Sequence, residues 1–224
     1  MNLDDITTVY DLARVLPDID TLQQRCRALA TLEAIIGPEW ESRYYSYDAD
    51  WNAGEQMASM RNGSGDEYSI VFSPDGVFIR AFDHESKMSP FANDGDLWDG
   101  LLDGLPEAFL PQANEPAFSY EGTLTATCCL WRLTGAATWN TGNPDLHGAQ
   151  PDGARLLAIL CDSTGESYRA FAADYYEVDL DLGAVTHVYA GLPLTDQLVG
   201  LLNPDLALAD ILEEVTAINE SCHA

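Results

Sequence analysis

Residues 54–82 read GEQMASMRNGSGDEYSIVFSPDGVFIRAF, three strand-like runs separated by NGSGD and SPDG. Both separators are rich in residues that turn the chain at low steric cost. In the second run Tyr68, Ile70 and Phe72 share one face; in the third, Val77, Ile79 and Ala81 alternate with Phe78, Arg80 and Phe82. A meander apolar on both faces must be covered on both sides, by helices on at least one. The stretch therefore predicts an α+β fold, an antiparallel β-meander sheet packed with helices.

Upstream, Leu22, Cys26, Leu29, Leu32 or Glu33, and Ile36 follow the helical period and predict a helix from about Thr21 to Ile36. Asp20 is its expected cap, Gln23 follows three residues later as in a capping box, and Gly37-Pro38 supplies the stop. A shorter helix using Ile6, Val9, Leu12 and Leu16 precedes it, and EWESRYYSYDADW from Glu39 suits a strand. Downstream, residues 94–112 read as helical or turn-rich, with Leu97, Trp98, Leu101 and Leu102 as the apolar stripe. LTATCCLWRL reads as a strand, and ARLLAIL fits either type. The C-terminal third is expected to be mostly helical. Tyr168, Phe171, Ala172 and Tyr175 lie at helical spacing, Thr195 can cap DQLVGLL, and Leu208, Ile211, Leu212, Val215 and Ile218 define a last helix. With no fixed-period repeat and no low-complexity linker, residues 1–224 are expected to form one α+β domain; a helical subdomain from about residue 150 is the alternative partition.

The 37 Asp and Glu face 10 Lys and Arg, a formal charge of −27. That balance argues against recognition of nucleic-acid phosphates and against an anionic membrane surface, both of which need clustered cations. The N-terminus lacks the basic and apolar regions of a secretory signal, and no run approaches the roughly 20 apolar residues of a membrane span. Cys26, Cys128, Cys129, Cys161 and Cys222 form no C-x-x-C pair and are odd in number, which predicts buried thiols in a reducing compartment. The expected location is cytoplasmic.

No basic residue lies between Lys87 and Arg132, an interval holding Asp94, Asp96, Asp99, Asp103, Glu107, Glu115 and Glu121. After Arg169 the chain has no Lys or Arg at all. Clustered acids sum to a local negative potential that draws in a basic partner. A merely solvated face, or adaptation to a saline cytoplasm, gives the same composition.

Among candidate chemistries, Asp83-His84-Glu85-Ser86 is the densest titratable group that contains a histidine. A carboxylate beside an imidazole can orient a general base or supply metal ligands. The competing reading is a polar turn in which Asp83 and Ser86 bond the backbone. His187 sits among apolar residues, as a packing histidine does, while His147 lies in a Gly/Pro loop and His223 at the terminus. Four His without ligand spacing argue against zinc. NGSG lacks the Lys and Ser/Thr of a phosphate loop, and Asp66 with Glu67 would repel phosphate. DYYEVDLDL lacks the pattern of a calcium loop. No cofactor is expected.

The strings GEQMASMRNGSGDEYSIVFSPDG (54–76), DHES (83–86) and FAADYYEVDL (171–180) are similar to those of a family of acidic bacterial cytoplasmic proteins without a chemical motif, so no catalytic residue carries over. In size, acidity and α+β reading the chain also resembles immunity proteins that neutralise secreted bacterial toxins. GLPEAFLPQ (104–112) resembles the short helix entry of one immunity-domain superfamily. The resemblance implies a non-enzymatic protein that occludes a basic partner such as a toxin.

On this reading Asp94, Asp96, Asp99 and Asp103 steer the partner and Trp98 anchors it. The alternative is a small hydrolase or metal-dependent enzyme using Asp83, His84 and Glu85 with His187. A third class is a DNA mimic whose carboxylates imitate phosphates.

Overall fold

The computed structural model describes residues 3–37, 39–146 and 151–219; Pro38, His147, Glu220, Cys222 and His223 lie outside these. The first elements are helices α1 (Val9–Val15) and α2 (Ile19–Ile36), followed by strands β1 (Tyr45–Asn52), β2 (Glu55–Arg61), β3 (Glu67–Ser73) and β4 (Gly76–Phe82). A short helix α3 (Leu110–Ala113) precedes strands β5 (Ser119–Tyr120), β6 (Thr123–Leu124), β7 (Cys128–Leu133) and β8 (Asn140–Thr141). The remainder is helical: α4 (Glu166–Tyr175), α5 (Leu182–Tyr189), α6 (Asp196–Leu202) and α7 (Leu208–Asn219). Six strands form one antiparallel sheet in the order β1-β2-β3-β4-β7-β8, and β5 pairs with β6 separately. The fold is α+β, with helices at the C-terminal end. Among the described residues no helix is long and apolar enough to cross a membrane.

The chain divides into two compact units, Met1–Ile19 with Ser59–Cys161, and Asp20–Ala58 with Asp162–Ala224.

In the first unit the SPDG turn sets the register, Ser73 opposite Gly76 and Glu67 opposite Phe82. Gly76 is required there: its φ is +142°, and a Cβ would lie 2.2 Å from the Arg132 carbonyl oxygen. β4 is buried along its whole length between β3 and β7. Cys128 and Cys129 point to opposite faces of β7 and are both fully buried, so the sheet is covered on both sides here. Burial pushes the Cys129 thiol up to about 12, which makes it a packing residue and not a nucleophile. One cover is the 3-10 helix Ala154–Cys161, which lies on β3 and β4 and packs against α1. Thr8 caps α1 in a reciprocal box with Asp11. Buried Asp152 joins the two pieces, accepting from the Val9 amide (2.7 Å) and the Ala154 amide (3.0 Å).

In the second unit α2 is the central element, buried almost all round from Ala28 to Ile35. It begins at Ile19, so Asp20 lies in the first turn, where a carboxylate favours the helix dipole, and not at the cap expected from the sequence. Glu33, fully buried, ties the unit together. Its Oε1 accepts from the Tyr168 hydroxyl (2.9 Å), and its Oε2 from the Tyr176 hydroxyl (2.7 Å) and the Tyr44 amide (2.7 Å). Burial raises the Glu33 carboxyl above its ordinary range, against the pull of these hydrogen bonds. Tyr44, Tyr45, Tyr168, Phe171 and Tyr175 pack ring to ring around it. Asn203, just after α6, donates to the Ile35 carbonyl (2.7 Å), and Thr195 caps α6 as expected.

One further expectation from sequence is revised. Strand β1 starts at Tyr45, because Trp40–Ser42 is a 3-10 turn. Of the two readings open for the 94–112 segment, residues 94–109 follow the turn-rich one, since Gly95, Gly100 and Gly104 all adopt positive φ and break helical propagation.

Candidate functional site

The acid-rich stretch is a surface of loops. Asp94, Asp96, Asp99 and Asp103 are all exposed, and among the described residues none of their carboxylates has an ion-pair partner. Asp94 itself adopts a left-handed φ of 55°. The loop is closed by bonds from the Ala92 amide to the Ser89 carbonyl (2.8 Å) and from the Gly95 amide to the Pro90 carbonyl (2.9 Å). Trp98 is half-buried and donates from Nε1 to the Asp145 carbonyl (3.2 Å), while Leu101 supplies the buried anchor of the segment.

The loop that holds Asp94 and Asp96 also carries a feature the sequence reading did not single out. Phe91 is 61% exposed and Tyr120 58%, with ring centroids 5.3 Å apart and edge-on. Buried Phe82 backs Phe91 at 5.8 Å. The ring contact sets the 89–96 loop beside the β5–β6 turn, whose Glu121 is exposed at a left-handed φ of 50°. Large exposed rings rimmed by polar groups are typical of interaction surfaces. Only the run of acids nearby hinted at this place from sequence.

The second candidate is at the open end of the β3–β4 hairpin, just past the Glu67–Phe82 pair. Ligand-capable atoms of Asp66, Asp83 and His84 all lie within 4.8 Å of one another. Asp66 Oδ1 bonds the His84 ring Nδ1 (2.7 Å) and accepts from the His84 amide (2.9 Å), while Oδ2 accepts from Asn62 (2.7 Å). Burial opposes ionisation of Asp66, but the hydrogen bonds from His84 and Asn62 prevail and hold its carboxyl below the ordinary range. The same bond holds the exposed His84 imidazole above its ordinary value. Asp83 is pushed the other way, first by burial, with the Asp66 charge adding to it.

Asp83 and His84 are thus brought together, but Glu85 is exposed and gives this cluster only its amide, bonded to Asp83 Oδ1 (3.0 Å). Ser86 Oγ accepts from the Met88 amide (3.1 Å), so the segment is also the polar turn considered from sequence. His187 belongs to the other unit, on α5, where its Nε2 meets the Pro193 carbonyl (2.9 Å).

No protein-family model, curated protein or solved structure matches this chain.

Proposed function

We propose that this is a non-enzymatic binding protein, immunity-like, which neutralises a basic protein such as a toxin by occluding its working surface. One observation carries the reading: four exposed carboxylates without ion-pair partners among the described residues, two of which, Asp94 and Asp96, share the 89–96 loop with the solvent-facing Phe91 of the Phe91–Tyr120 pair. Carboxylates tied up elsewhere are not free to pair with a partner, whereas these are. The acids raise the encounter rate and the rings supply contact area that excludes water, the division of labour typical of protein interfaces.

The test is a neutralising panel, Asp94→Asn, Asp96→Asn, Asp99→Asn and Asp103→Asn, measured against a basic protein captured from the native cell. The combined panel is expected to slow association about tenfold or more at low salt and to flatten its salt dependence. Phe91→Ala and Trp98→Ala are expected to speed dissociation instead. Unchanged association and salt dependence across the panel would reject the surface.

A second reading, a hydrolase or metal-dependent enzyme, is favoured by the Asp66–Asp83–His84 grouping within 4.8 Å. It is weakened by Asp66 Oδ1, which already accepts from the His84 amide and engages the ring, and by Asp83 Oδ1, which accepts from the Glu85 amide.

A further inference from the structure

The second compact unit contains a cavity of about 640 Å³ that neither reading uses. That volume lies inside the range of small-molecule sites. One wall is a single face of α2: Asp20, Gln23, Gln24, Arg27, Ala28 and Thr31 succeed one another at helical spacing of three and four. The opposite walls come from the end of α5 with the loop after it, and from Val215, Thr216 and Asn219 of α7.

Arg27 makes this wall unusual. In a chain with 37 acids, its guanidinium has no carboxylate partner among the described residues, and the groups that hold it are neutral. Nη2 donates to Gln56 Oε1 (2.9 Å), and the guanidinium carbon lies 5.2 Å from the centre of the Tyr47 ring. Gln56 is fixed in turn by the Tyr47 hydroxyl and by Gln23 Nε2 (3.0 Å), and Gln23 Nε2 also reaches the Tyr47 hydroxyl (2.9 Å). A charged group locked in place by a supporting hydrogen-bond network, at the edge of a cavity, is how a binding site is preorganised.

We infer that this cavity binds a small monoanionic carboxylate with an apolar body, its carboxylate on Arg27. Guanidinium geometry suits a carboxylate, and the apolar body has Ala28, Val188, Leu192 and Val215 to pack against. Asp20 shares the α2 wall, two helical turns and about 10 Å from Arg27. One cation and one nearby carboxylate disfavour a dianion such as phosphate. The inference is independent of the acidic loop surface, since every residue it uses lies in the second unit.

Phenylacetate is a suitable probe, followed by amide chemical shifts of the full chain. It is expected to give saturable shifts at Thr31, Gly191 and Val215 with millimolar or tighter affinity. The neutral isostere phenylacetamide should bind about tenfold weaker or worse, having lost a charge-assisted hydrogen bond. Arg27→Met should abolish the shifts and Arg27→Lys should retain part of them, with thermal melting reporting whether each variant folds. If Arg27→Met fails to fold, the comparison of acid with amide on the native chain still decides. No saturable shift at these amides up to about 10 mM, or equal binding of acid and amide, would overturn the inference.

Discussion

Glu33 offers the sharpest test of how this chain holds together. Replacing it with Ala leaves the Tyr168 hydroxyl and the Tyr44 amide without their acceptor, and Tyr168 is itself fully buried. The half-buried Tyr176 hydroxyl can turn to water. Two stranded donors at about 1–3 kcal/mol each, partly offset by no longer burying a charge, give a loss of about 1–5 kcal/mol. Glu33→Gln is gentler. Its amide oxygen can face the Tyr44 N–H and its NH2 can face Tyr168, whose hydroxyl must then accept and leave its own proton unpaired. The expected loss is about 1–3 kcal/mol. Urea unfolding read by near-ultraviolet signals of the surrounding tyrosines measures both. The pH dependence has a definite sign. Because burial raises the folded carboxyl above its ordinary 4.5, the folded state binds the proton more tightly than the unfolded chain. This contribution is greatest below 4.5, declines as pH rises through the raised folded value, and is flat above it. Glu33→Gln removes that decline, so the gap between native and variant should narrow over the same window. A loss under about 1 kcal/mol for Glu33→Ala, or a gap that widens with rising pH, would refute the reasoning.

Asp66→Asn should lower the His84 midpoint toward the ordinary imidazole value of 6.5, because the Asp66 hydrogen bond is the chief cause of its elevation; the ring-proton shift of His84 followed by NMR checks this. Stability from the pair is fully present below 6.5 on the histidine side and lost as pH rises through the raised folded value, so the variant should lack that alkaline loss. Gly76→Ala should cost more than about 2 kcal/mol in thermal or urea unfolding, since the new Cβ meets the Arg132 carbonyl in a left-handed conformation; a loss below about 0.5 kcal/mol would mean the β4–β7 ladder is less tightly packed than described.

The meander was fully legible because two turn signals bracket alternating apolar runs, and β2, β3 and β4 fall where the pattern puts them. The third member of the Asp66–Asp83–His84 group was also within reach of sequence. A two-residue SPDG turn pairs Glu67 with Phe82, and one further step sets Asp66 beside Asp83. The reading stopped at neighbours in sequence and so favoured Glu85. Other features had no local signal. The partners of Glu33 stand 11 to 143 residues away, and only a lone carboxylate at an apolar-stripe position hinted at them. The Phe91–Tyr120 pair depends on two irregular loops meeting, and the division of the chain within β2 coincides with no shift in composition.

Net charge alone does not locate a docking surface, because carboxylates here do three different things. Glu33 and Asp152 are buried acceptors whose hydrogen bonds join segments distant in sequence. Glu67, Asp66 and Asp179 are matched to Arg80, His84 and Arg169. Each acid in these two groups has its negative charge partly satisfied within the fold, so it adds less to the field that a partner feels at a distance. Asp94, Asp96, Asp99 and Asp103 belong to neither group and sit on loops whose backbone is fixed by glycine turns and not by their own side chains. Among the described residues these carboxylates make no ion pair, so neutralising them removes none. A change in partner association on making those substitutions would report binding, while the same exchange at Glu33 or Asp152 would report folding.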